Sequence, residues 1–358
     1  MPIQLGIVKI INMVKKEKVT LYLFFFLLLL SSCTGKIKQN AKRQQTVESL
    51  KTMLRTRALS TETRYAIINQ IAKTLLVDGN FNNQVLFLTS WVEKHPDDPY
   101  NAYWLLMTAN AYLENGATPI ARYYFERIIR NYPDLVVQGK SVHFLCLQNL
   151  IKISTTSANR ITYFNQLISQ FPNNVNITEL YYRLALEYEK EGNWTQALRT
   201  YALFLNRDDA QSIQIQGIPN AYITAKQLTD FAASSKDWTF ATLDELVAAV
   251  KNAIVNYNWK ALDRYRSKVN FFAMSWQQDA TDENSQSSFS MGNYMRRKIH
   301  FENDLDESST PTDAYLRTWG WSSYVNVWYL YFRKVNFPAD MKAHGRWEWA
   351  GIYYGEKL

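Results

Sequence analysis

NAYWLLMTANAYLENGATPIARYYFERIIRNYPD, residues 101–134, decides how the chain folds. Counting Ala102 as the first position, Leu105 stands at 4, Ala109 at 8, Tyr112 at 11, Ala121 at 20, Phe125 at 24 and Pro133 at 32. Leu105, Ala109 and Tyr112 recur at helical spacing and share one face. Asn115-Gly116 interrupts the pattern, Ala121 and Phe125 resume it, and Pro133 cannot continue a helix and ends the second one. The reading is two helices, brought close where Ala109 and Ala121 leave room, with the large residues filling around that contact.

The same ruler fits three more times. From Thr178 it finds Tyr181, Leu184, Ala185, Tyr188, Gly192, Ala197, Tyr201 and Phe204, with Asp209 in place of the closing proline. From Tyr65 it finds Ile68, Ala72, Leu75, Gly79, Leu88, Trp91 and Pro96, with Gln84 at a small position. From Ser141 it finds Phe144, Leu147, Ile151, Phe164, Leu167 and Pro172, with Gln148 and Arg160 at the small positions. The spacing resembles the tetratricopeptide repeat, two antiparallel helices in about 34 residues. The preceding stretch TVESLKTMLRTRAL reads as a helix that caps the stack. The resemblance implies a solenoid with a concave face, lined by positions 2, 5, 9 and 12 of each first helix. On that register Asn69, Lys73, Tyr103, Asn110, Asn149 and Tyr182 are the candidate binding residues. Asn110 and Asn149 fall at one position of neighbouring units. An amide offers both donors and an acceptor, so they either hold a peptide backbone or are simply solvated. The lysine-asparagine clamp for a peptide carboxylate is not present.

The unit ends KHPDDPYN, RNYPDL and SQFPNN are similar to those of envelope lipoproteins with such repeats, among them the lipoprotein member of the outer-membrane barrel-assembly machine. The N-terminus agrees. FFFLLLLSSCTG, residues 24–35, closes an apolar run from Val19 to Leu30, too short to span a bilayer and of signal-peptide length. Lys9, Lys15, Lys16 and Lys18 precede it. Leu30-Ser31-Ser32-Cys33 resembles the lipobox of bacterial lipoproteins, which implies cleavage before Cys33 and lipidation of its thiol. An uncleaved anchor with an incidental cysteine is the alternative. The net charge of +8 points to nucleic acid only until it is located. Residues 1–43 hold all but about one unit of it, and a nearly neutral body carries no footprint for DNA or RNA. KIKQNAKR is then a tether near anionic headgroups or a solvated linker. With Cys33 acylated, Cys146 has no partner and reads as core in SVHFLCLQNLIKI.

After Phe204 the ruler fails. Residues 210–239 read as a helical linker, with ASSKDWT polar and unburied. Thr242-x-x-Glu245 is a capping box opening LVAAVKNAIV, and NWKALDRYRSK follows as a second helix. AYLRTWGW, YVNVWYLYFRKV and RWEWAGIYYG are aromatic and β-branched enough for strands. The order is similar to that of cone-shaped domains of the nuclear-transport-factor-2 or cystatin type, although no motif carries that likeness. Trp347 and Trp349 share one strand face. Exposed, they would stack on sugar rings; core is the expectation. The acidic stretches near 279–284 and 302–307 lack the calcium-loop pattern, the four histidines lack ligand spacing, and no nucleotide or hydrolase fingerprint appears.

The expected fold class is mainly α: a tetratricopeptide-like solenoid followed by a small α+β C-terminal domain. The segments are a lipoprotein signal peptide (1–32), a lipidated tether (33–44), the repeat domain (45–209), the linker (210–239) and the α+β domain (240–358). The expected function is a non-enzymatic, lipid-anchored scaffold of the cell envelope, facing the periplasm or the cell surface. Its repeats would dock other envelope proteins or peptide segments, with no cofactor, metal or nucleic acid. One alternative is a glycan- or ligand-binding, or enzymatic, lipoprotein acting through the aromatic C-terminal domain. Another is a subunit of outer-membrane protein assembly.

Overall fold

The computed structural model describes residues 41–56, 59–77, 81–278, 290–295 and 298–357. The leader, Cys33, most of the tether and the acidic stretch 279–284 lie outside the described residues. None of the described helices is long and apolar enough to cross a membrane. By its contacts the chain divides into two units, Met1–Ile153 and Ser154–Leu358.

In the first unit the small residues lie where the spacing puts them. The helices are α1 (41–54), α2 (Thr61–Val77), α3 (Phe81–Lys94), α4 (Asn101–Glu114), α5 (Thr118–Asn131) and α6 (Val142–Ile153). A two-residue-strand hairpin, β1 (Val136–Val137) and β2 (Lys140–Ser141), precedes α6. Between α4 and α5 the chain reverses at Gly116, whose φ of 77° is the left-handed conformation that glycine adopts freely. Leu105, Ala109, Ala121 and Phe125 are all 0% exposed. Ala109→Leu must therefore force a branched side chain into a filled seam. We expect a loss of about 1–3 kcal/mol, read as a lowered denaturation midpoint; an unchanged midpoint would show that α4 and α5 do not meet there.

Two expectations at the start of the stack are resolved in detail. Val47 of α1 packs with Ile67, Ile71 and Leu75 of α2, so the helical part of TVESLKTMLRTRAL, up to residue 54, does cover the first hairpin. Gln84, at a position expected to be small, is buried and donates from Nε2 to the carbonyl of Ala72 at 3.2 Å. An amide replaces close helix contact with a hydrogen bond between helices.

The second unit opens with α7 (Ser157–Gln170), α8 (Ile177–Lys190), α9 (Trp194–Leu205) and α10 (Ala221–Ala233). Asp209, where the repeat would have proline, accepts a hydrogen bond from the Thr178 hydroxyl and ties the end of α9's turn to the start of α8. Arg160, at another small position, reaches Glu187 of α8 at 2.8 Å, and Lys190 binds the same carboxylate at 2.8 Å. Burial pushes the Glu187 carboxyl up, but hydrogen bonds from Arg160, Lys190 and Ser157 outweigh it and hold it at about 2. A carboxylate depressed in the folded state stabilises fully above its unfolded value and loses that contribution as pH falls toward the folded one. The stability gap between wild type and Glu187→Gln should stay flat above about pH 5 and close between about pH 4.5 and 2. A gap that persists at pH 2 would assign it to packing instead.

The capping box forms as read: the Thr242 hydroxyl accepts from Glu245 N, and the Glu245 carboxylate accepts from Thr242 N. It starts α11 (Leu243–Val255), and α12 (Trp259–Tyr265) follows. Five strands then form one sheet in the order β3 (Phe272–Ser275), β7 (Trp347–Tyr354), β6 (Val327–Lys334), β5 (Asp313–Trp319), β4 (His300–Phe301). β3 runs parallel to β7, and the other neighbours are antiparallel. One sheet face packs on α11 and α12 through Leu246, Val250, Leu262, Trp328, Trp349 and Ile352. The fold is thus mainly α, with tetratricopeptide-like helix hairpins and a small α+β part at the C-terminal end.

One expectation fails here. ASSKDWT is not an exposed linker. Trp238 is 1% exposed, packed with Phe231, Val269, Val335 and Phe337, and its indole N–H donates to Glu348 at 2.8 Å. Phe240 pairs with Trp347 as a bridge. A single large indole outweighs the polar residues around it, because its burial contributes more than their solvation requires.

Candidate functional site

Exposure and hydrogen bonding sort the candidate residues. In the first unit, Asn69 and Lys73 lie on α2, Tyr103 and Asn110 on α4, and Asn149 on α6. Lys73 is exposed; Asn69, Tyr103, Asn110 and Asn149 are half-buried. Asn149 donates from Nδ2 to its own helix at the Leu145 carbonyl, 2.9 Å away, which leaves its amide oxygen. Asn69 has a buried Oδ1 with no partner among the described residues. The Asn110 side chain makes no hydrogen bond among the described residues. α4 and α6 are in contact, which sets Asn110 and Asn149 on adjoining first helices.

Aromatic rings gather around the first turns of α2 and α4, which the repeat register did not reveal. Tyr65 lies 4.5 Å from Tyr100, 5.5 Å from Trp104 and 5.9 Å from Tyr103, centroid to centroid. Burial, with Tyr65 alongside, pushes the Tyr103 phenol up to about 12, so it remains a neutral hydroxyl. Trp104 is 0% exposed, and its indole N–H has no acceptor among the described residues. The signal was available: Tyr65 opens one unit and Tyr100, Tyr103 and Trp104 open the next. Half-buried rings and amides can hold an extended backbone, and the exposed Lys73 supplies a charge.

Tyr182 does not join them. It is 2% exposed and meets Tyr201 and Phe204 edge-on at 5.3 and 5.1 Å. Ala221 and Ala225 of α10 belong to the same core. The helix after the last hairpin covers the face that α8 would otherwise present, so Tyr182 is core.

In the α+β part, Trp347 is 7% and Trp349 0% exposed. They offer no stacking surface. The aromatic face is the other one. Phe272, Trp276, Tyr315, Tyr331 and Tyr353 lie together there, with Trp276 stacked on Tyr353 at 4.3 Å and Tyr315 on Tyr331 at 5.2 Å. Gly351 permits this: a Cβ there would stand 2.7 Å from the Phe272 ring. Carboxylates border the face. Asp313 accepts from the Tyr331 hydroxyl at 2.5 Å, and Glu356 from Arg317 and from Tyr329 at 3.1 Å. The alternation Asp313, Tyr315, Arg317 along β5 was readable; which of its faces stays open was not.

Cys146 is buried, and burial pushes its thiol well up. Among the described residues no three His, Cys, Asp or Glu side chains gather as a ligand group.

Residues 105–135 match the family model described as tetratricopeptide repeat. No curated protein matches the chain. Among solved structures, one described as a crystal structure of MamA is similar to it, with 18% identity over 54% of this chain and 94% of that one and a TM-score of 0.27. At that score the likeness carries no functional argument.

Proposed function

We propose that this chain is a scaffold of the bacterial cell envelope, lipid-anchored through Cys33. Its tetratricopeptide-like hairpins dock an extended segment of another protein. The docking face carries Asn69, Lys73, Tyr103, Asn110 and Asn149. One observation bears most of the weight: Asn110 is half-buried on α4, the helix that also carries Tyr103 and Trp104, and its side chain makes no hydrogen bond among the described residues. Peptide backbone satisfies such an amide on both its donor and its acceptor side. The repeat segment 45–209 does the docking in this reading, and 240–358 is a separate functional part. Membership of an outer-membrane assembly apparatus is a specific case of it.

Two arms test the proposal in intact cells. A photo-crosslinking residue at Asn110 should trap a discrete protein partner, while the same residue at Tyr123, 57% exposed on α5, should not. Equal trapping at both positions would remove the docking face. Labelled palmitate should enter the wild type and not Cys33→Ala; equal labelling would remove the anchor and leave the docking face standing.

A further inference from the structure

Beyond β7 the chain crosses the open aromatic face of the sheet, and the side chain it lays there is a lysine. The Lys357 ammonium is 5.3 Å from the centre of the Trp276 ring and 5.0 Å from that of Tyr315. It donates a hydrogen bond to the Ser308 hydroxyl, which in turn donates to Asp306 at 2.5 Å. Both rings are braced from behind. Trp276 stacks on Tyr353 at 4.3 Å and donates from its indole N–H to the Gly355 carbonyl at 3.1 Å. Tyr315 stacks on Tyr331. Two fixed π-faces and a hydroxyl backed by a carboxylate form a receptor for a positive alkylammonium group.

The loop beside the rings is acidic, with Arg317 paired to its Glu302 and Lys251 bound to its Asn303 carbonyl. Residues 302–313, ENDLDESSTPTD, hold Glu302, Asp304, Asp306, Glu307 and Asp313 and no basic residue. Asp304 and Glu307 are exposed and make no ion pair among the described residues. Such a loop draws cations toward the rings from a distance of about one Debye length. Glu356, the neighbour of Lys357, is held separately by Arg317 and Tyr329. Lys357 itself is exposed, so its ammonium can leave the rings without uncovering core.

From this geometry we infer that the Trp276–Tyr315 corner is a lysine-recognition site, filled in cis by Lys357 and open to a lysine side chain of a partner polypeptide that displaces it. The site is independent of the helical docking face. Lys357 acts as an internal competitor, which sets a threshold: only a partner whose lysine is presented at high local concentration takes its place.

The test uses the full chain and a one-charge probe, Nα-acetyl-lysine methyl ester, followed by proton NMR. A group held over aromatic rings moves upfield, which attraction to an acidic loop alone does not cause. Lys357→Met should lower the probe concentration needed for that upfield shift of the ε-methylene by about two- to fivefold. Adding Trp276→Leu to Lys357→Met should abolish the shift. The matching norleucine ester should give none with either protein. The inference is overturned by equal titrations of wild type and Lys357→Met, or by a shift that survives loss of Trp276. It is also overturned if choline gives the shift and the lysine ester does not, which would make the site one for small quaternary ammonium ions. Lys357→Met replaces an exposed side chain, so the first comparison stands even if the Trp276 variant fails to fold.

Discussion

Trp349→Ala should cost about 3–5 kcal/mol, a large part of what holds a domain of this size together. The indole is 0% exposed at the centre of the sheet–helix core, meets Phe271 edge-on at 5.4 Å, and donates its N–H to the Gly351 carbonyl at 2.9 Å. Truncation removes the ring and its hydrogen bond and leaves a void beside Phe271 and Phe332, in the core shared with Leu246, Val250 and Ile352, that rigid sheet backbone cannot close. A denaturant midpoint recorded by near-ultraviolet circular dichroism checks it; a loss below about 1 kcal/mol would mean that the core collapses around the gap. α10 and the Trp238 segment pack against the strand ends through Phe231, Val335 and Phe337. Hydrogen exchange should therefore show α10 losing protection together with β6 and β7.

The neighbouring position tests the opposite sheet face. Glu348 is 1% exposed and receives two donors, Trp238 at 2.8 Å and Arg333 at 2.8 Å. Glu348→Ala strands a buried indole N–H and unpairs a guanidinium, for an expected loss of about 2–3 kcal/mol. The figure stays below that for a fully buried ion pair because the Arg333 side chain is 36% exposed and regains water. Glu348→Gln keeps an acceptor for Trp238 and should recover about half of the loss. Equal losses for the two variants would show that charge rather than the hydrogen bond to Trp238 matters. The lesson extends to the chain between α10 and α11: it is pinned by this contact and should resist a protease that cuts exposed linkers.

Some of this architecture is written in short-range spacing. Helices that approach closely need small residues at fixed intervals, so Ala109, Ala121, Ala185 and Ala197 announce their hairpins, and each is 0% exposed. Thr242 and Glu245 act within a single turn, and the capping box was legible for that reason. β5, β6 and β7 carry strand-forming residues in runs long enough to recognise. Periodicity, however, assigns a face only relative to an element's own axis. Whether that face is core depends on what arrives from elsewhere in the chain. Tyr182 has the register of a binding residue, yet Ala221 and Ala225, some forty residues on, cover it. Trp238 sits in a polar stretch, and its acceptor lies 110 residues away. β3 is four residues long and finds its parallel partner across a gap of nearly eighty positions, Phe272 opposite Gly351. Trp347 and Trp349 became core, and Trp276, Tyr315 and Tyr353 stayed on the open face, because α11 and α12 pack against one side of the sheet and leave the other. Burial is a property of contacts between distant segments, and no local pattern encodes which segment will make them.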